Sequence, residues 1–344
     1  MAKRVCVLLG DEKLPDIVKH NRRFNPEDIE VVERLKAALG LLKGYEFDYL
    51  SDHVSLEDRI RKAAEEKSYD YFFNLCDEGF QNRPEMEAHI PMLIELYGLP
   101  YTGAAPGCLN ICYDKHAVKA IARSAGIPAS KDLLINEDDE VKELPFDFPA
   151  FVKPNCGDGS FAIDRNSLVH NPGQLMSQVM AIRIKLKEAK ARTDILVEEY
   201  LPGEEVTAAI IGDDEADVRL LQENFGSGTK FSSGKTKWDP DSPEWRLTTS
   251  VAPTIPDKSK DEIIGYSKYL FKRLGCRDYA RFDFRMKENA PYLLEANPNC
   301  GWCWDGHLAR AFLLGSCNLG SFSLEGYSSV LEKILATAEK RFIK

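Results

Sequence analysis

Two late segments carry the residues best suited to chemistry, "YARFDFR" from Tyr279 and "YLLEAN" from Tyr292. Read as strands, their side chains alternate. Arg281, Asp283 and Arg285 then share one face, while Phe282 and Phe284 take the other. In the second segment Leu293, Glu295 and Asn297 share a face. A three-residue hairpin loop, Glu288-Asn289-Ala290, sets Asp283 opposite Glu295 and Arg281 opposite Asn297. Two carboxylates ~5 Å apart repel by roughly 3 kcal/mol at an effective dielectric of about 20. Like charges opposed across a sheet also destabilise it. A divalent ion between them removes the conflict. An all-oxygen set of Asp283, Glu295 and the Asn297 carbonyl suits Mg2+. The competing reading is a solvated face on which Arg281 and Arg285 neutralise the acids.

The next stretch, "NCGWCWDGH", holds the C-x-x-C of Cys300 and Cys303. A redox dithiol normally opens a helix after the first strand of its unit, and this one follows two late strands. Cys300, Cys303 and His307 offer three zinc ligands, with no fourth at a recognisable spacing. The favoured reading is a turn that places Gly301, Trp302, Trp304, Asp305 and His307 around a substrate. Tryptophans that only pack are the equal alternative.

Other segments suit a phosphate. Lys153 ends an apolar strand and is followed by "PNCGDGS", where Gly157 and Gly159 let backbone N–H groups approach an anion. "LVEEYLPGEE" puts acidic and main-chain polar groups at a strand end, as adenine and ribose recognition require. Each is weak alone. "GSGTKFSSGKT" is not a Walker A loop, because five residues separate Gly228 from Gly234 where four are needed.

The elements that must position these residues alternate. Up to about residue 110 strands ("RVCVLLG", "YEFDYL", "YDYFFNL", "LPYTGA") interleave with helices ("PEDIEVVERLKAALGLL", "LEDRIRKAAEEKS", "EAHIPMLIELYG"). This predicts a parallel, doubly wound layer. A helix capped by Asp114 follows, then the phosphate turn and two strands meeting at Pro202-Gly203. From about 223 to 250 the chain is polar without period, the mark of a long functional loop. With 344 residues there is material for two or three domains. The net charge of −10 argues against a nucleic-acid or anionic-membrane binder. No apolar run is long enough to span a bilayer, and the N-terminus lacks a signal-peptide pattern. Nine scattered cysteines fit a reducing, cytoplasmic compartment.

Taken together and in order, "YDKHAVKAIARSAGIPA", "FPAFVKPNCGDGSFAI", "ILVEEYLPGEEVTAAIIG", "TKW", "YARFDF" and "LLEANPNCG" resemble the ATP-grasp superfamily, and within it the D-alanine–D-alanine ligases. The resemblance covers roughly residues 90 to 310. It implies an α/β fold of ATP-grasp architecture: an N-terminal doubly wound parallel-sheet domain (1–112), a central subdomain (113–200) and a C-terminal subdomain (201–344). The last two would sandwich ATP. By position, Lys115 and Lys153 would hold the phosphates and Ser160 would lie on the covering turn. Glu198, Glu199 and Leu201 would line the adenine site, and Glu205 would meet the ribose. Lys237, beside Trp238, would reach the γ-phosphate from the long loop, with Lys230 and Lys235 as rivals. Asp283, Glu295 and Asn297 would bind two Mg2+ ions, for which Mn2+ could substitute. Arg281 and the Gly301 N–H would stabilise the reacting acyl centre.

The resemblance thus implies ATP-dependent joining of a small-molecule carboxylate to an amine, with ADP and phosphate released, and a homodimeric assembly. Two features depart from the family. The stretch that grips the first alanine's ammonium is replaced by "GDEKLPDIVKHNRRFNPED", where Asp11 or Glu12 could serve. The Pro-Gly-Met-Thr stretch and its following serine are replaced by "CGWCWDGH". The implied ligase therefore has altered substrates, with Trp302, Trp304 and His307 as candidate contacts. A non-catalytic ATP-binding regulator and a C-x-x-C oxidoreductase are the alternatives.

Overall fold

The computed structural model describes residues 2–139, 143–213, 215–225, 231, 233, 242–243, 247–314 and 323–343. Lys230, Lys235, Lys237 and Trp238 lie outside the described residues.

The first sheet is parallel. It has β1 (Lys3–Leu8) between β2 (Tyr45–Leu50) and β3 (Tyr71–Asn74). Alternate residues of β1 bury on opposite sides. Val5 and Val7 join a core with Leu35 and Leu39 of α1 (Pro26–Leu39), whereas Cys6 and Leu8 join one with Leu56 and Ile60 of α2 (Leu56–Glu66) and Ile90 of α3 (His89–Leu96). Both faces are covered, as a parallel sheet requires. α1 begins where its sequence says it should. Asn25 accepts from the N–H groups of Glu27 and Asp28, the Asp28 carboxylate returns a bond to Asn25 N–H, and Pro26 opens the helix. The expected strand at "LPYTGA" is only an isolated bridge between Tyr101 and Phe72.

The second sheet is antiparallel, in the order β4 (Asp132–Ile135), β7 (Ile195–Glu199), β5 (Ala150–Pro154), β6 (Leu168–Val169). α6 (Pro172–Glu188) packs on it through Leu175, Val179, Ile182 and Leu186. The third is antiparallel as well, in the order β10 (Thr249–Val251), β9 (Asp217–Asn224), β8 (Glu205–Ile211), β11 (Tyr279–Lys287), β12 (Ala290–Asn297). Phe282 and Phe284 face a core shared with α4 (Pro106–Cys112), α5 (Lys115–Ser124) and α7 (Asp257–Arg273). α8 (His307–Leu313) and α9 (Leu324–Ile343) pack in the core that also takes Val5 and Val7 of the first sheet.

The β11–β12 hairpin carries the chemistry, and its register is informative. Asp283 pairs with Glu295 and Arg281 with Asn297. The loop, however, has two residues rather than three, since Lys287 pairs directly with Ala290. Glu288 and Asn289 both adopt positive φ, 51° and 67°, the geometry of a type I′ turn. A register shift between Asp283 and Phe284 leaves Leu294 as an extra residue in β12 and restores the facing acids.

Candidate active site

A cleft open to solvent lies between the second and third sheets. Its floor is built from strand ends. Lys153 is the last residue but one of β5, and Glu198 and Glu199 end β7. Leu201 follows them, and Glu205 begins β8. All five line the cleft with Ser160, Asp283, Glu295 and His307. An adjoining recess of about 310 Å3 shares Ser160 and Glu295 with it and adds Lys115, Gly157 and Gly159.

Glu198 organises one wall. Its carboxylate takes the Lys119 ammonium at 2.8 Å on one oxygen and the Lys153 ammonium at 3.1 Å on the other. Lys119 is fully buried and also donates to Ser130 Oγ at 2.7 Å and the Leu293 carbonyl at 3.2 Å. Burial pushes the Glu198 carboxyl up, but the two lysines more than offset this and hold it below its usual range. Two cations around one anion leave a surplus positive charge. Burial draws the deeper one, Lys119, down to about 8 against the pull of Glu198. Burial also opposes the charge on Lys153, yet Glu198 and Glu295 keep that ammonium raised. Lys119 is a site residue that sequence reasoning missed. Its signal was its place four residues after Lys115 on a helix whose other faces carry Val118 and Ala122.

Lys115 opens α5, where Asp114 caps the helix through Ala117 N–H at 3.0 Å. Asn155 bridges to this cap, with its Nδ2 on Asp114 Oδ1 at 2.9 Å. Lys115 Nζ donates to the Gly157 carbonyl and stands 4.0 Å from Glu295. The turn beneath it is held in rarely populated backbone: Gly157, Gly159, Ser160 and Ala162 all have positive φ. For Ser160 and Ala162 that conformation costs energy, a feature that collects at ligand clamps.

The opposed acids form the other wall. Asp283 accepts from Thr207 Oγ1 at 2.7 Å, Asn297 Nδ2 at 3.1 Å and Arg281 Nε at 3.1 Å. Arg281 also reaches Glu295 at 3.9 Å. One guanidinium thus partly offsets two carboxylates. Asp283 and Glu295 face each other as hard oxygen donors on one side of the hairpin, with the Asn297 amide beside Asp283, and this set suits Mg2+ better than any softer ion. Glu205 pairs with Arg285 at 3.2 Å, and Glu199 pairs with Lys287 at 3.1 Å while accepting Lys131 N–H at 3.0 Å. Thr207 was a further omission, although it shares the alternation of Glu205. Arg285, read from the sequence as a cation neutralising the facing acids, pairs with Glu205.

His307 begins α8 and bridges walls. Its Nε2 meets Glu223 at 3.2 Å and its Nδ1 meets Arg281 Nη1 at 3.3 Å. Arginine can only donate and a carboxylate can only accept, so the ring spans the two through its separate nitrogens. Gly301 lies beside Asp77, whose Oδ2 would stand 3.5 Å from a Cβ at that position. Burial pushes the Asp77 carboxyl well up, Glu78 adds to this, and Lys19 opposes it.

Other expectations change. Trp302 is buried in the core with Tyr327, whose hydroxyl donates to the Trp302 carbonyl at 2.8 Å. Trp304 packs at the edge of that core beneath the Arg34 guanidinium, 4.5 Å from its ring centre. For both rings packing is the role the geometry favours over substrate contact. Cys300 and Cys303 are free thiols. Burial raises Cys300 to about 12 and Cys303 well above its usual value, which deprives both of the thiolate that redox chemistry needs. Asp11 is tied down by the N–H groups of His53 at 3.1 Å and Lys13 at 3.0 Å, and Glu12 is exposed.

A three-sheet chain whose cleft lies between two antiparallel sheets, with lysines on one wall and paired acids on the other, is of the ATP-grasp class. Residues 121–310 match the family described as D-ala D-ala ligase C-terminus. The chain belongs to that family. It is 31% identical over 277 residues to the uncharacterized protein y4sG of Sinorhizobium fredii, covering 78% of this chain and 75% of that one. It is 28% identical over 243 residues to D-alanine–D-alanine ligase B of Chromobacterium violaceum, covering 70% and 73%. The D-alanine–D-alanine ligase of Bacillus anthracis, solved in complex with ATP, superposes with a TM-score of 0.70 at 20% identity, over 99% of this chain and 98% of that one. No described helix is long and apolar enough to cross a membrane.

Proposed function

We propose that this chain is an ATP-dependent ligase. It would join a carboxylate to an amine, forming an amide or imine-type C–N bond through an acyl phosphate and releasing ADP and phosphate. The observation that carries this reading is the pairing of Asp283 with Glu295 across the hairpin, with Arg281 and Lys115 on either side.

Lys153, fixed by Glu198, and Lys115, at the head of α5, present ammonium groups to the phosphates. Ser160 covers them from its strained turn. Leu201 and the main chain around Glu198 and Glu199 take the adenine, and Glu205 takes the ribose. Asp283, Glu295 and Asn297 would hold Mg2+, which when bound offsets charge on the phosphoryl oxygens. Arg281, paired with Asp283, would stabilise an oxyanion at the acyl carbon, and the Gly301 N–H would assist it. Lys237, from the long loop, supplies a further cation. Positioning and electrostatics carry most of the acceleration in such a site.

The Bacillus anthracis relative, solved with ATP, supports the nucleotide assignment. The amino-acid grips differ from those of a D-Ala–D-Ala ligase. Asp77 stands where Gly301 turns, and an ammonium-bearing substrate would offset its charge there. The three sheets would be the cores of lobes 1–112, 113–200 and 201–344. A homodimer in a reducing, cytoplasmic setting completes the reading, which the eight free thiols among the described residues suit.

The test is phosphate release from Mg-ATP against a panel of amino acids, singly and in pairs, with mass spectrometry of the products. A pair-dependent burst of phosphate with a condensed product lighter by one water establishes the ligase and its substrates. ATP binding with no turnover on any amine or carboxylate would favour a regulator that binds nucleotide without chemistry.

A further inference from the structure

Away from the cleft, three thiols meet in the core. Cys108 and Cys112 stand four residues apart on α4 and so leave the same side of the helix. Cys276 follows α7, where Gly275 adopts φ +74° and the Cys276 N–H donates to the Phe271 carbonyl at 2.9 Å. That is the Schellman closure of a helix end. It fixes the third sulfur against the helix that carries the other two. All three Sγ atoms lie within 4.8 Å of one another, and Cys108 and Cys276 approach to 3.7 Å. Sulfurs bound at ~2.3 Å to one ion stand about 4 Å apart, so the spacing is that of ligands around a single centre.

The surroundings sharpen the case. The thiols are 5%, 6% and 7% exposed, within the same apolar core as Leu109, Phe271 and Leu274. Arg277 is the next residue, and its charge acts on Cys108. Its Nη2 is buried with no acceptor among the described residues. The half-buried guanidinium otherwise donates from Nε to the Gly103 carbonyl at 3.0 Å and lies over the Tyr101 ring, and its positive charge would favour thiolates in the cluster beside it.

We propose that Cys108, Cys112 and Cys276 form a three-sulfur site for a soft monovalent ion of the Cu(I) class. No histidine, aspartate or glutamate atom joins the cluster among the described residues. Structural zinc takes four ligands, whereas three sulfurs suffice for Cu(I), a soft ion that thiolates also select. Each sulfur donates an electron pair to the ion, the thiol protons leave to solvent, and no electron is transferred. The site would tie α4 to the segment that enters β11, the strand bearing Arg281 and Asp283. It does not depend on the ligase reading.

The full chain, reduced and anaerobic, would be titrated with Cu(I) against the chelator bicinchoninate. The expected result is one tightly held ion per chain, with the luminescence of a solvent-shielded Cu(I)–thiolate. Cys108→Ser, Cys112→Ser and Cys276→Ser should each weaken retention by at least about tenfold, while Cys300→Ser with Cys303→Ser leaves it unchanged. Circular dichroism establishes that each variant is folded. Copper X-ray absorption on the unmodified chain counts sulfur neighbours without recourse to any variant, and three are expected. No ion retained by the folded chain, fewer than three sulfur neighbours, or retention that survives all three serine variants would overturn the site.

Discussion

Glu198 sits between two ammonium groups, and its replacement separates a structural from a chemical role at the cleft wall. Glu198→Gln removes the anion shared by Lys119 and Lys153, whose side chains are 0% and 7% exposed. Breaking a buried pair by deleting one partner costs about 3 to 5 kcal/mol. Lys119→Met leaves Glu198 still paired with Lys153, so its cost should be smaller, and the order of urea midpoints checks this. The sign with pH follows from the lowered Glu198 value. Its contribution is complete above the ordinary carboxylate range and is lost as pH falls through the lowered folded value. Acidification should therefore depress the melting temperature of the parent more steeply than that of Glu198→Gln; equal slopes would contradict the assignment. Arg281 makes the complementary functional test. Arg281→Ala should abolish product formation by at least about a hundredfold, in line with losing an oxyanion donor, while nucleotide affinity stays within a fewfold. Normal turnover in that variant would remove Arg281 from the reaction. The acids were legible in the sequence because facing like charges need a cause. Lys119 was not, because a lysine on a helix reads by default as a solvated residue.

The β11–β12 hairpin shows how an element can deliver a site by a route its sequence does not spell out. A three-residue loop and a two-residue loop differ by one register step, and one step would turn Glu295 to the opposite face. The bulge at Leu294 cancels that step, so Asp283 still meets Glu295. Alternation made the facing residues readable; the compensation was not, because neither Glu288-Asn289 nor Leu293-Leu294 is a strong turn or bulge signature. Deleting Leu294 should thus leave a regular hairpin in which Phe284 still meets Leu293 and Asp283 still meets Glu295. Calorimetric titration should then show the gain in nucleotide affinity with Mg2+ retained. Loss of the Mg2+ effect would mean that the bulge itself, and not only the register it restores, shapes the site. Within the turn, Asn289→Val places a branched side chain at φ 67° and should cost about 1 to 2 kcal/mol, whereas Asn289→Gly should be neutral or stabilising. Elsewhere the element signals were uneven. α6 has Leu175, Val179, Ile182 and Leu186 at helical spacing, a readable pattern that site-directed attention passes over. β10 is three residues inside a polar stretch, too short for alternation to register.

At the scale of the molecule, the parallel layer does not stand apart from the sheet that carries the acids. Val5 and Val7 of β1, Ala209 and Tyr279 of the third sheet, and Tyr327 and Leu331 of α9 share one core. No local pattern announces this, because the partners are separated by most of the chain. Arg341 is the polar lock on the arrangement. Its Nε donates to Asp278 Oδ1 at 3.0 Å, and its Nη2 donates to Asp278 Oδ2 at 2.7 Å and to the Tyr101 carbonyl at 2.8 Å. Asp278, almost wholly buried, also accepts the Gly103 N–H at 2.7 Å. One side chain near the end of α9 thereby holds the segment after β3 and the residue that precedes β11. Arg341→Ala should cost about 2 to 3 kcal/mol, most of it from leaving Asp278 buried with less of its charge offset. Arg341→Lys should recover less than half, since a point charge cannot reproduce the two-pronged contact. Urea denaturation measures both, with exposed Lys340→Ala as the reference. If Arg341→Ala moved the midpoint no further than that reference, the lock would lie in the apolar core alone. If it did move further and nucleotide affinity fell with it, the closure of α9 onto β11 would also be holding the Asp283 wall in place.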